Sequence, residues 1–122
     1  MDYLTEGSVA KARSRAIKIL NQKAYSILGF VEALGLDGDM TEATDSNQAI
    51  VEIQFGKNKL FKKSQVTAVT IYDGDDYVVE LPAAISIFLD TQNHRKIKSL
   101  RDVKTFIRKL NEKLNKYIET QI

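Results

Sequence analysis

The stretch Ala49-Ile50-Val51-Glu52-Ile53-Gln54-Phe55 alternates strictly, with Ala49, Val51, Ile53 and Phe55 on one face and Glu52 and Gln54 on the other. Successive side chains of an extended chain point to opposite sides, so this pattern is a strand buried on one face. Such a strand needs partners beside it and a layer against its apolar face. Downstream, residues 56–64 read as a basic connection, and Val66 to Tyr72, rich in β-branched residues, as a second strand. Tyr77 to Leu81 reads as a third. The link between them starts with Asp73-Gly74, a hairpin signal because glycine tolerates positive φ.

Outward from the strands lie two helical patterns. From Ser8 to Leu34, Val9, Ala12, Ala16, Leu20, Ile27, Val31 and Leu34 follow helical spacing, while Lys11, Arg15, Lys18 and Gln22 fall opposite. Ser8 reads as an N-cap, Gly35 as the stop and Gly29 as a kink point. At the other end, Ser99 with Asp102 resembles a capping box. Leu100, Val103, Ile107, Leu110, Leu114 and Tyr117 then repeat at three- and four-residue steps, widened by Phe106 and Ile118. Residues 35–47 lack periodicity and read as an acidic loop. The run Pro82 to Leu89 fits a short helix or a fourth strand, and proline at a first helical position tips it to helix. The expectation is one α+β domain over residues 1–122: a two-layer sandwich of a long N-terminal helix, a three- or four-stranded antiparallel sheet and a long C-terminal helix.

Composition narrows the chemistry. The 122 residues include no cysteine, which excludes disulfides, thiolate nucleophiles and cysteine zinc sites and fits a reducing compartment. The most apolar stretch, Ala24 to Leu36, is too short and too polar to span a bilayer. The N-terminal residues lack the basic-then-apolar order of a secretory signal, so the expected location is cytoplasmic, with no membrane partner. His94 is the only histidine and is flanked by Arg95 and Lys96, which disfavour a bound metal; it reads as a solvated loop residue. Asp37, Asp39, Glu42 and Asp45 lack the glycine and glutamate positions of a calcium loop, and Asp73, Asp75 and Asp76 suit a turn. No nucleophile, dinucleotide or phosphate-loop motif is present, so no enzyme activity, cofactor or metal is expected.

Charge carries the functional signal. The net charge of +2 conceals five blocks: +2 over 1–34, −5 over 35–55, +4 over 56–72, −5 over 73–90 and +6 over 91–122. Lys57, Lys59, Lys62 and Lys63 surround Phe61 in one connection; Arg95, Lys96 and Lys98 precede the last helix, which adds Arg101 and further lysines and arginines. Ammonium and guanidinium groups in such clusters neutralise phosphates and release counterions. Phe61, if exposed, would stack on a base; if buried, it is a core anchor. The first expectation is therefore a small non-enzymatic binding module with an anionic partner, nucleic acid above all. The alternative is a homodimeric protein-interaction factor (an assembly chaperone, immunity protein or inhibitor, of the kind carried by a phage or mobile element). Its charge blocks would meet an acidic protein surface, and Leu110, Leu114 and Tyr117 would form its dimer interface. A small-molecule site between sheet and helices is the third class, without a motif to support it.

Overall fold

The computed structural model describes residues 6–44, 48–56 and 61–120. Helix α1 (Glu6–Ala33) leads into strands β1 (Asp37–Thr41), β2 (Gln48–Phe55), β3 (Gln65–Tyr72) and β4 (Asp76–Glu80). A short helix α2 (Ala83–Leu89), strand β5 (His94–Ile97) and helix α3 (Leu100–Thr120) complete the chain. The sheet is antiparallel throughout, in the order β1-β2-β3-β4-β5. The α+β reading holds, and the sheet has five strands where three or four were expected.

Both additional strands are edges. β1 falls in the stretch read as an acidic loop, and β5 in the basic run before the last helix. Alternation is weak in one and absent in the other: on β1 only Gly38 and Met40 face the helices, between exposed Asp37, Asp39 and Thr41, and on β5 His94, Arg95 and Lys96 are all exposed. An edge strand is held by backbone hydrogen bonds to one neighbour, which leave no periodic mark in the side chains.

The interior strands bury what their alternation demanded. Val51, Val69 and Val79 lie opposite one another across β2, β3 and β4, and Ala49, Ile71 and Tyr77 form a second row. All six are buried, against Leu20, Ala24, Ile27 and Val31 of α1 and Val103, Ile107, Leu110 and Leu114 of α3. α1 packs over β1, β2 and β3, and α3 over β4. At Gly38 on β1 a Cβ would stand 2.7 Å from a methyl of Leu28 and 3.2 Å from one of Val31. The missing side chain lets the helix lie close on this edge.

Helix boundaries follow local chemistry. α1 begins at Glu6, so Ser8 is inside it and is not its cap, and the helix runs through Gly29 without interruption. It ends in a Schellman motif: the Leu36 N–H donates to Val31 (3.2 Å) and the Gly35 N–H to Glu32 (2.9 Å), with Gly35 at φ 81°. Only the C-terminal half of its apolar stripe is covered. Val9 is 45% exposed and Ala12 is exposed; Ile17 is partly buried against the core, and full burial starts at Leu20. Residues 83–89 are helical; Pro82 stands just before the first turn in extended conformation, and its carbonyl accepts from Ile85 and Ser86. As a strand the run would bury Ile87 beside Ile85, whereas the helix leaves Ile87 77% exposed. Ser99 caps α3 as expected, its Oγ accepting from the Asp102 N–H at 3.1 Å.

Candidate functional site

Arg95 ends a row that is otherwise apolar. Met40, Val51, Val69, Val79 and Arg95 lie side by side across the sheet, which puts Arg95 on the face that the helices cover. At a sheet edge the arginine stem packs inward while its head reaches the rim. The guanidinium carbon lies 5.2 Å from the centre of the Phe106 ring on α3. Ile97, two residues on, shares this face, while His94 and Lys96 belong to the opposite one.

Between β5 and α3 opens a groove of about 640 Å³. Its floor is apolar, built from Leu89 at the end of α2, Ile97, Phe106 and Leu110. Arg95, Lys96 and Lys98 line it from β5 and the residue after, and Lys109 and Lys113 from successive turns of α3. Among these lining residues Asp102 is the single carboxylate. The Lys113 ammonium lies 5.9 Å from the Phe88 ring centre, and Phe88 meets Tyr117 edge to face at 5.3 Å.

A second hollow, of about 520 Å³, lies on the other flank of α3 and is lined by Phe30, Leu100, Arg101, Lys104, Thr105 and Arg108. Lys104 Nζ donates to Ser26 Oγ at 2.7 Å and stands 6.0 Å from the Phe30 ring centre, which ties α3 to α1. Cations thus run along both flanks of the helix's buried stripe. The β1 edge has the opposite sign: Asp37, Asp39 and Glu52 line a small depression there, with no lysine or arginine among its described lining residues.

Two lysines have carboxylate partners in the β3–β4 hairpin. Lys98 pairs with Asp76, and the Lys98 hydrogen bond and charge hold the Asp76 carboxyl below its ordinary pKa. The pair is present above the ordinary carboxylate range and is lost as pH falls through the lowered Asp76 value, which frees Lys98. Both side chains are exposed, so the pair adds little stability. Lys23 of α1 donates to Asp75 Oδ1 at 3.0 Å and to the Gly74 carbonyl at 3.1 Å. Partial burial pulls the Lys23 ammonium down, but the Asp75 hydrogen bond and neighbouring charges outweigh it and leave the pKa above its ordinary value.

The residues singled out from the sequence separate. Arg95, Lys96 and Lys98 come together with Lys109 and Lys113 in the groove, whereas Arg101 lies on the other flank of α3. Lys62 and Lys63 are exposed just ahead of β3, at the end of the sheet where β5 also begins. Lys57 and Lys59 lie outside the described residues, as does Asp45. Phe61 is only 3% exposed and belongs to the core, so it is an anchor and not a stacking platform. Leu110 and Leu114, expected at a dimer interface, are each 3% exposed and packed in the chain's own core; of that trio only Tyr117 faces outward. His94 sits on β5 and not in a loop, with Nε2 3.8 Å from Glu80.

Sequence reasoning overlooked Leu89, Ile97 and Phe106 as site residues. The signal for Phe106 was its place at the margin of the α3 stripe, where a side chain reaches both core and surface. Among the described residues no group of three or more acidic or histidine side chains could hold a metal ion, and no helix is long and apolar enough to cross a membrane. Comparison with protein-family models, curated proteins and solved structures finds no match.

Proposed function

We propose that this chain is a non-enzymatic binding module that engages nucleic acid through the groove between β5 and α3. The observation that carries the reading is the convergence of Arg95, Lys109 and Lys113 on one groove, with Lys96 and Lys98 at its border towards the opposite face of the sheet, where Lys98 pairs with Asp76. Each phosphate neutralised there releases condensed counterions, and that release drives binding at low salt. The hollow with Arg101, Lys104 and Arg108 continues the positive surface around α3 and lengthens the track available to a phosphate backbone. A protein partner with an acidic surface would use the same charges, but it would not need cations spread along a whole helix.

A mobility-shift titration with a labelled oligonucleotide tests the reading. The double variant Lys109→Glu with Lys113→Glu is expected to weaken binding at least tenfold at low salt and to reduce the slope of log K against log salt by roughly one to two. Reversal of Lys11 and Arg15, on the exposed half of α1, is expected to leave both quantities near wild type. Absence of any shift at low salt would end the proposal.

A further inference from the structure

We infer that the groove selects single-stranded over double-stranded nucleic acid, with an unpaired base seated on the floor formed by Ile97, Phe106 and Leu89. The inference rests on the function proposed above and narrows its ligand. Its ground is the composition of the groove. A site for phosphates alone needs only cations at its rim, yet here the cations border three apolar side chains that are packed on the core but only partly buried. A duplex turns its base faces inward and offers the protein phosphates, sugars and base edges, so this floor would gain nothing from it. A single strand offers a π-face with every base, and base–aromatic stacking is tolerant of sequence.

Phe106 is the residue suited to that contact. It is half-buried, so its ring is fixed by packing while part of it still faces the groove. Arg95 lies against the ring, 5.2 Å from its centre. A guanidinium is planar and weakly hydrated, and it can stack on a base while it also pairs with a phosphate. Lys109 and Lys113, one helical turn apart at about 6 Å of rise, follow a backbone past the seat. β5, four residues long, leaves room for one or two nucleotides beside it.

The test uses the wild-type chain and three fluorescein-labelled DNA probes of one length: a single strand, the same strand annealed to its complement, and a strand of abasic sugar-phosphates. Fluorescence anisotropy at fixed low salt is expected to rank the single strand roughly 5- to 100-fold above the abasic strand, the range that one stacked base supplies. The duplex, despite its higher charge density, is expected to bind more weakly than the single strand. Phe106→Leu keeps the apolar packing and removes the ring; it should lower the ratio of single-strand to abasic-strand affinity at least fivefold, with the larger loss on the single strand. Equal affinity for single and abasic strands overturns the inference and leaves the broader proposal standing, as does duplex binding as tight as single-strand binding. If none of the three probes binds, the broader proposal itself has failed.

Discussion

Thr67 lies on the helix-covered face of β3, opposite Ile53 of β2, and is 1% exposed. Its hydroxyl has no hydrogen-bond partner among the described residues. A buried hydroxyl without a partner carries its desolvation cost with nothing to offset it. Thr67→Val keeps the branched shape and removes the oxygen, so it is expected to stabilise the fold by about 1 kcal/mol, read as a higher midpoint in urea with unchanged m-value. A loss of stability instead would mean that the hydroxyl is satisfied in solution. Asp90 is a second residue held at some cost: it takes the left-handed conformation that ends α2, at φ 52°. The αL position lets the Thr91 N–H reach the Ser86 carbonyl at 3.0 Å, and Asp is among the few non-glycine residues that tolerate it.

Among the elements, α1 divides into two halves with different duties. Leu20, Ala24, Ile27 and Val31 are buried under the sheet, whereas Val9 and Ala12 extend the same stripe into solvent. Ile27→Ala is expected to cost about 2–5 kcal/mol by denaturant unfolding, and Val9→Ala under about 0.5 kcal/mol. A Val9→Ala cost approaching that of Ile27→Ala would show that the exposed half is covered in solution. This difference also marks the limit of periodicity. The pattern from Ser8 to Leu34 states which side of a helix is apolar, but not how far along it another layer reaches. The interior strands were legible because burial on one face forces alternation, as in Ala49 to Phe55. β1 and β5 were not, since acidic and basic edge residues serve a strand and a loop equally well. The groove was half legible. Its cations stood out as clusters, but its floor of Leu89, Ile97 and Phe106 comes from three elements that only tertiary packing brings together.

At the scale of the whole molecule, charge separates by layer. α1 carries five lysines and arginines against two glutamates, and α3 six against three acidic residues. β1 through β4 contain no lysine or arginine, and their charged residues are Asp37, Asp39, Glu52, Asp76 and Glu80. The near-neutral total therefore describes a molecule with positive helices and four acidic strands, with the basic edge strand β5 beside α3, an arrangement that orients an approaching polyanion towards α3. The burial of Leu110 and Leu114 is also a property of the whole. Leu114→Ala is expected to destabilise the fold by about 2–5 kcal/mol, with a thermal midpoint independent of protein concentration. A midpoint that rises with concentration in the wild type and not in the variant would assign Leu114 to an interface between copies.

The sequence alone determined the two helices, the three inner strands and the absence of cysteine chemistry, because each follows from local periodicity or from composition. It also determined that positive charge is segregated along the chain. Tertiary structure decided which cations meet. The β4–β5 pairing sets Arg95 on the helix-covered face, and the packing of α3 beside that edge brings Lys109 and Lys113 opposite it. Strand register and helix packing act between residues far apart in the chain, so no window of sequence contains them.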